Sequence, residues 1–434
     1  MQFRNAVIVD GARSAFGRGG RGKLVATRMD EAGAQVLRAL LDRNPKITDD
    51  MYEDIGMGNV MGAPELAGIG ADNVARLAGL PAEISAFDSN RQCGSSMETL
   101  HRIAKSIMVG ATDCGIALGI ERMGRSLGGG PRGETNRITE FNQRRLQQND
   151  AQRNLGKNHF EDFSVAFQDA ILDYSPVLSM TQTAQNVAEV YNLSREEMDE
   201  FAVLSHRRTA AAYEKGIYKD EIIPLEVEEP VFDDQGNWVA DSRGKTIIFD
   251  RDECLRPGTN IEALSQLQGI KGLVSPTGQE IRITAGNSCP TNDGITAAII
   301  MSEEKALELG LEPLARIIGF GVSGVKPQVM GLGPIPATRK ALRHAGLTAD
   351  QIDRVEFNEA FSAQIIPSCR ELGIPMDRVN VNGGSIAIGH PLGATGTRLV
   401  LTVAHELRRS GGRYGLATQC IGVGMGISTI IERI

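Results

Sequence analysis

Cys93 lies at the centre of a short stretch that joins a nucleophilic side chain to small and polar neighbours. Residues 90–96 read Asn-Arg-Gln-Cys-Gly-Ser-Ser, and residues 97–108 carry apolar side chains at the spacing of an amphipathic helix. Cys93 is therefore expected in the turn that opens a helix, where unpaired N–H groups and the helix dipole favour an anion. We expect such a thiol to lose its proton easily and to act as a nucleophile. A buried structural cysteine is the alternative.

Three later stretches are also richer in chemically active and small residues than a core requires. They are FNEAF at 357–361, NGGSIAIGHPLGATG at 382–396 and CIGVGMG at 420–426. Pro391 favours an extended conformation at His390, and the glycines allow the backbone to approach a ligand closely. Taken singly, a histidine before proline, a cysteine at a strand end or an Asn-Glu pair at a helix start is explained by structure alone. Their presence together in one chain favours an active site.

The composition excludes several classes of protein. The chain has 434 residues, of which 41% are hydrophobic, so it is long enough for two or more domains. A formal net charge of −8 gives no support for nucleic-acid binding. The six cysteines form no C-x-x-C pair and have no histidine at ligand spacing, which predicts a reduced intracellular protein without a zinc site. No signal peptide and no bilayer-spanning apolar run is recognised, so we expect a cytoplasmic protein without an integral membrane segment.

The elements that must position these stretches alternate between strand and helix. This pattern predicts an α/β core, interrupted from 122 to about 252 by an inserted segment. Residues 86–89 are expected to form a polar turn, and residues 233–245 a hairpin or loop. Strands are expected at 6–9, 55–60, 113–119 and 414–418, and helices at 29–41, 70–78, 97–108, 199–215 and 395–409.

The Cys93 region and the His390 region follow the same plan. Each consists of a small-residue turn, a helix, a glycine, an apolar strand and a second glycine-containing turn. This order predicts an internal duplication of an α/β unit. Cys93 and His390 would then occupy equivalent strand-to-helix turns at the same sheet edge, where ligands bind in open α/β folds.

All four stretches resemble the motifs of the thiolase family, and the resemblance covers nearly the whole chain. Weaker matches are Met180–Ala184, Phe201–His206 and Thr284–Gly294. The resemblance implies a five-layer α-β-α-β-α sandwich built from two duplicated halves, with a loop domain over the active site. The implied domains are an N-terminal half (1–121 and 253–302), a loop domain (122–252) and a C-terminal half (303–434).

The family's residue roles transfer onto matching positions of this chain. The resemblance implies that Cys93 is the acylated nucleophile, that His390 activates it, and that Cys420 is the general acid and base. Asn358 would hold a water that forms one oxyanion hole together with His390, and the N–H groups of Cys93 and Gly422 would form a second. No metal or cofactor is implied, because coenzyme A is a substrate. The implied substrate contacts are Ser288, Cys289, Met180 and Phe361.

Departures from the family pattern bear on which thiolase this is. Cys289 stands where the family commonly has a serine, and Ser179 precedes Met180 where many short-chain synthetic thiolases have histidine. The RQCGSSM stretch and the final motif resemble degradative 3-ketoacyl-CoA thiolases of bacterial fatty-acid β-oxidation. An acetoacetyl-CoA thiolase that condenses two acetyl-CoA molecules is the near alternative. The long segment 137–175 would widen an acyl tunnel, contact a partner or touch a membrane through an apolar face, with ordinary packing as the alternative.

Two other classes of protein are weighed against these. A decarboxylating condensing enzyme is expected to have a histidine at the position of Cys420. A non-catalytic lipid- or acyl-CoA-binding relative is expected to have lost a reacting residue, yet all four are present. The resemblance also implies a homodimer or homotetramer, and it leaves open a hydratase/dehydrogenase partner subunit.

Overall fold

The computed structural model describes residues 3–124, 179–236, 238–239, 242, 244–275 and 277–434. The strands are β1 (Ala6–Arg13), β2 (Gly17–Arg18), β3 (Asp54–Gly58), β4 (Ser85–Ser89), β5 (Cys114–Arg122), β6 (Leu225–Glu228), β7 (Thr246–Phe249), β8 (Asn292–Ser302), β9 (Ala315–Gly324), β10 (Arg354–Phe357), β11 (Tyr414–Ile421) and β12 (Met425–Glu432). The α-helices are α1 (Met29–Asp42), α2 (Gly70–Leu77), α3 (Ser95–Met108), α4 (Met180–Val190), α5 (Arg195–Glu214), α6 (Ile261–Ser265), α7 (Glu303–Glu308), α8 (Pro334–Ala345), α9 (Ser362–Leu372), α10 (Ser385–Ile388) and α11 (Leu392–Ser410).

The main sheet consists of two halves with the same strand order. The first runs β4-β3-β5-β8-β1 and the second β10-β11-β12-β9, with Val379 adding a parallel bridge to Val355 outside β10. In both halves the outer pairs are parallel and the last two pairs are antiparallel. The halves join where β1 meets β9, over two residue pairs. This shared order confirms the predicted duplication.

Helices α3 and α11 lie between the two halves of the sheet. Their apolar faces share one core cluster with β5 and β8 of the first half and β11 and β12 of the second. The opposite face of the first half packs on α1 and α2, and that of the second half packs on α8 and α9. Alternating residues of one strand enter different clusters, such as Val7 in the outer layer and Ile8 in the central one. The five-layer sandwich is thus confirmed.

The two central helices touch backbone to backbone near their first turns. A Cβ on Gly396 would lie 2.5 Å from the backbone nitrogen of Met97, so only glycine fits there without a shift. Thr397 N donates to Ser96 Oγ at 3.0 Å across the same junction. Because Cys93 precedes α3 and His390 precedes α11, this junction sets the spacing of two candidate catalytic residues.

We expect Gly396→Ala to lower the free energy of unfolding by about 1–3 kcal/mol, since the added methyl group overpacks a backbone contact. Urea denaturation measures this. Gly258→Ala is the control: its Cβ would meet no heavy atom within 4 Å, so its effect should stay within about 0.5 kcal/mol. Equal losses in the two variants would contradict the proposed tightness of the junction.

The structure corrects the prediction for residues 86–89 and adds a pair of strands, β6 and β7. The expected turn at 86–89 is wrong, because Ser85–Ser89 is strand β4. It pairs in parallel with β3 at the sheet edge and stays partly exposed, so it lacks an apolar pattern. Strands β6 and β7 pair antiparallel on either side of the predicted hairpin at 233–245.

Two predictions about the organisation of the chain are not tested by the structure. The apolar face predicted on 137–175 lies outside the described residues, and the three domain boundaries stay predictions. Within the described ranges, no helix has both the length and the apolarity needed to cross a membrane.

Candidate active site

Cys93 occupies a tight, hydrogen-bonded turn directly before α3. Gly94 N donates to Arg91 O at 3.0 Å, and Ser95 Oγ donates to Gln92 O at 2.6 Å. Gln92 has a φ of +47°, a left-handed conformation that is uncommon for residues other than glycine. Such strain persists only where the surroundings impose it, and it collects at functional sites. The turn therefore holds Cys93 in a fixed position at the start of the helix.

The Cys93 thiol is protonated at rest. Burial raises its pKa to about 11, although the backbone N–H groups of Gly422 and of Cys93 itself donate to the sulfur and oppose the rise. The expectation that this thiol loses its proton easily is therefore wrong, because desolvation of the thiolate outweighs the favourable dipoles. A base must remove the proton before the sulfur attacks.

This raised pKa predicts how alkylation of Cys93 depends on pH. Below the pKa, each unit of pH raises the thiolate fraction, and hence the rate with iodoacetamide, about tenfold. We expect this climb to continue from pH 7 to pH 9.5, as followed by mass spectrometry of the Cys93 peptide. A plateau near pH 8.5, the value of an ordinary thiol, would contradict it. The Cys114 peptide reports any unfolding, because that cysteine is buried in β5.

His390 is held as a neutral base. Its Nδ1 lies 2.7 Å from Thr395 Oγ1, and that hydroxyl donates its only proton to Pro391 O at 2.8 Å. Nδ1 must then donate to Thr395, which leaves the lone pair on Nε2. Burial lowers the pKa of His390 to about 3, so the imidazole is uncharged near neutral pH. Its backbone N–H is fixed by Asn292 Oδ1 at 3.0 Å.

Asn358 and Cys420 come from neighbouring parallel strands. Asn358 follows β10 and its backbone N–H donates to Thr418 O of β11 at 3.0 Å, while Cys420 lies within β11. Asn358 Nδ2 lies 3.3 Å from His390 Nε2, so the two side chains are in direct contact, and their predicted oxyanion hole stays a prediction. The carboxyl ends of parallel strands thus bring both residues to one sheet edge.

The two candidate reactive cysteines are tied to each other. Gln419 Nε2 donates to Cys93 O at 2.8 Å, and Cys420 is the next residue along β11. Burial and the nearby Cys93 thiol raise the pKa of Cys420 well above the ordinary value, while a hydrogen bond from the Gln364 side chain opposes the rise. Cys420 is therefore a protonated thiol near Cys93.

The turn after Cys420 faces the Cys93 turn. The N–H of Gly422 points at the Cys93 sulfur, and Val423 adopts a φ of +65°, an outlier for a β-branched residue. Strained non-glycine residues thus flank the site on both sides. The N–H groups of Cys93 and Gly422 both donate to the Cys93 sulfur, and their predicted role as a second oxyanion hole stays a prediction.

The four residues predicted as substrate contacts lie in different settings. Burial and the Cys93 thiol raise the pKa of Cys289, which places this third thiol near the nucleophile. Ser288 Oγ is committed to Thr284 O at 2.7 Å, and Ser288 forms a bridge with Phe361. Met180 is the first residue of α4. Contact of any of these with substrate stays a prediction.

Sequence reasoning missed several residues that hold this site. Gln419 and Gln364 are fully buried amides, and Thr395 fixes the tautomer of His390. A polar residue in an otherwise apolar strand, as at Gln419, was the available signal. Among the described residues, no group of three or more histidine, cysteine or carboxylate side chains could hold a metal ion.

Comparisons with known proteins agree with this architecture. The family models for the thiolase N-terminal and C-terminal domains match residues 6–304 and 311–433. A 3-ketoacyl-CoA thiolase of Vibrio vulnificus is 39% identical over 434 residues, covering 99% of this chain and 100% of the relative. A 3-oxoadipyl-CoA/3-oxo-5,6-dehydrosuberyl-CoA thiolase of Escherichia coli is 40% identical, with both chains covered completely.

Two solved structures share the fold over the whole chain. The Bacillus anthracis acetyl-CoA acetyltransferase superposes with a TM-score of 0.81 at 31% identity, covering 100% of both chains. Human mitochondrial 3-ketoacyl-CoA thiolase gives a TM-score of 0.79 at 31% identity, covering 99% of both. With both family models matched in order and relatives aligned end to end, this chain belongs to the thiolase family of acyltransferases.

Proposed function

We propose that this enzyme cleaves 3-ketoacyl-CoA with coenzyme A, giving acetyl-CoA and a shortened acyl-CoA through an acyl-enzyme on Cys93. The observation that carries the proposal is the convergence of a buried thiol, a neutral imidazole whose lone pair is on Nε2, an amide and a second thiol. These are the groups that a reversible carbon–carbon cleavage through a thioester requires.

The first half-reaction transfers the acyl group to the enzyme. His390 Nε2 takes the Cys93 proton as the sulfur bonds to the 3-keto carbon, and the N–H groups of Cys93 and Gly422 stabilise the oxyanion. The bond between C2 and C3 then breaks, and its electron pair goes to C2 as an enolate. Asn358 and His390 stabilise the enolate oxygen, and the Cys420 thiol protonates C2 to release acetyl-CoA.

The second half-reaction releases the shortened product. The Cys420 thiolate takes the thiol proton of an incoming coenzyme A, whose sulfur attacks the Cys93 thioester. The carbon–sulfur bond to Cys93 breaks, and the sulfur regains its proton from His390. Both cysteines and the histidine return to their resting states, so the cycle needs coenzyme A as a substrate and no bound cofactor.

The substrate class is inferred from the named relatives. Their names favour degradation of 3-ketoacyl-CoA, as in fatty-acid β-oxidation, and extend to acyl chains that end in a carboxylate. The likeness to an acetyl-CoA acetyltransferase favours acetoacetyl-CoA as the second candidate substrate. The proposal includes a cytoplasmic homodimer or homotetramer, with a hydratase/dehydrogenase subunit as a candidate partner.

A panel of substrates tests the proposed function. Coenzyme A-dependent cleavage is measured for 3-ketoacyl-CoAs of four to sixteen carbons and for 3-oxoadipyl-CoA. We expect turnover to rise beyond four carbons. Activity confined to acetoacetyl-CoA would support the second candidate, a preference for 3-oxoadipyl-CoA would move the enzyme to carboxylate-ended chains, and no cleavage of any substrate would overturn the proposed reaction.

A further inference from the structure

A chain of buried hydrogen bonds runs behind Asn358, on the side away from His390. Ser385 Oγ lies 2.6 Å from Asn358 Oδ1, and Arg398 Nη2 donates to the same Ser385 Oγ at 2.9 Å. Arg398 Nη1 donates to Glu356 Oε2 at 2.6 Å, which completes a buried ion pair. All four residues are at most 2% exposed, so water does not replace these partners.

The direction of each hydrogen bond in this chain is fixed by its chemistry. A guanidinium only donates, so Ser385 Oγ accepts from Arg398 and its own proton is free to go to Asn358 Oδ1. The amide oxygen of Asn358 is thereby committed to Ser385. Its NH₂ group then faces His390 Nε2, which carries a lone pair because Nδ1 donates to Thr395.

The reversed amide is disfavoured at both ends. With the amide flipped, Oδ1 would face the lone pair of Nε2, so two acceptors would meet. A hydrogen bond between them would require a proton on Nε2 in addition to the one on Nδ1. Such an imidazolium is opposed by burial, which lowers the pKa of His390 to about 3. At the other end, the Ser385 hydroxyl proton would lose its acceptor.

We propose that Ser385, itself held by the Arg398–Glu356 ion pair, is a positioning residue that turns the Asn358 NH₂ group toward His390, where these two side chains stabilise the substrate oxygen. This inference rests on the proposed function, because the oxygen in question is the one that becomes the enolate. Ser385 acts through Asn358 and does not touch the reacting atoms. The salt bridge between Glu356 of β10 and Arg398 of α11 anchors the hydroxyl to two rigid elements.

The position of Ser385 in the chain supports this role. Ser385 opens the short helix α10, while Arg398 lies two turns into α11 on the other side of His390. A second buried network holds the same helix, because Ile386 N donates to Glu359 Oε2 at 3.0 Å and Ser205 Oγ to the same oxygen at 2.6 Å. The backbone at Ser385 is thus fixed independently of its hydroxyl, so removing the hydroxyl should release the amide without displacing α10.

A double-mutant cycle tests the proposal. Turnover of acetoacetyl-CoA and of the preferred longer substrate is measured for wild type, Ser385→Ala, Asn358→Ala and the double variant. We expect Ser385→Ala to lower kcat about tenfold with KM within twofold, since only enolate stabilisation is impaired. In the Asn358→Ala background the same change should cost less than twofold, because its target is gone.

Matched variants separate positioning from packing. Ser368→Ala removes an equally buried hydroxyl on α9 that has no hydrogen-bond partner among the described residues, and its kcat should stay within twofold. Ser385→Cys keeps the shape of the side chain but is a weaker hydrogen-bond donor. If Ser385→Ala does not fold, Ser385→Cys replaces it in the cycle, and a fall in kcat is expected for it as well. An equal fall in kcat in both Asn358 backgrounds, or no fall in either, would overturn the inference. An inactive wild type would instead overturn the proposed function on which the inference rests.

Discussion

Cys93→Ala is expected to abolish both the cleavage of 3-ketoacyl-CoA and the exchange of acyl groups between thioesters. The proposed acyl-enzyme forms on this sulfur, and no other thiol of the site precedes a helix with two N–H groups aimed at it. We expect kcat for cleavage to fall by roughly 10⁴-fold or more, the scale seen when covalent catalysts lose their nucleophile. Steady-state kinetics and mass spectrometry of the trapped acyl-enzyme measure the two losses.

Cys114→Ala is the matched control for that loss. Cys114 is also buried, but it stands at the opposite end of β5 from Glu121, whose charge acts on the Cys93 thiol. Its removal should leave kcat within about twofold. If Cys93→Ala kept more than a hundredth of wild-type turnover, or if acyl label appeared on Cys289, the nucleophile would have been assigned wrongly.

Cys420→Ala should separate the two chemistries. Carbon–carbon cleavage requires a proton donor at C2, and loss of a positioned general acid costs about 10²–10⁴-fold. Acylation of Cys93 by a simple acyl-CoA is the reverse of the second half-reaction, and it expels a coenzyme A thiolate, which needs the Cys420 proton far less than a carbanion does. Incorporation of labelled acetyl groups into the Cys93 peptide should therefore remain within about tenfold of wild type. Quench experiments with labelled acetyl-CoA measure the second rate, and stopped assays with 3-ketoacyl-CoA measure the first.

A different result for Cys420→Ala would assign a structural role to this residue. Parallel losses in acylation and in cleavage would mean that Cys420 supports the Cys93 turn, through the neighbouring Gln419 contact, and is not the acid. Gln419→Ala distinguishes these cases, because it removes the hydrogen bond to Cys93 O and leaves the second thiol in place. It should slow both reactions together.

Much of this site could be predicted because its residues sit in glycine-rich turns next to strong apolar periodicity. The helix after Cys93 and the strand that contains Cys420 are long and regular, so their ends mark the sheet edge where the proposed chemistry takes place. The duplication could be predicted for the same reason, since both halves repeat one order of turns, helices and strands.

What could not be predicted depends on burial and on contacts distant in sequence. The acidity of Cys93 was misjudged because a helix start favours a thiolate while desolvation, which the local sequence does not report, opposes it more strongly. Strand β4 escaped detection because an exposed edge strand has no apolar alternation. The pair of Arg398 with Glu356 spans 42 positions, so nothing local marks either side chain as an anchor.

The strand order has a consequence for synthesis. In each half, the strand that completes the sheet is made last yet lies inside it: β8 between β1 and β5, and β12 between β9 and β11. While residues 123–291 are being translated, the edges of β1 and β5 that β8 will join remain unpaired. Translation of this segment takes about 10–30 s at ribosomal rates. Open edges of this kind invite pairing with other chains. We therefore expect the nascent chain to be most prone to aggregation before β8 emerges. At that stage the Cys93 helix has been synthesised, but the sheet beneath it lacks the strand between β1 and β5.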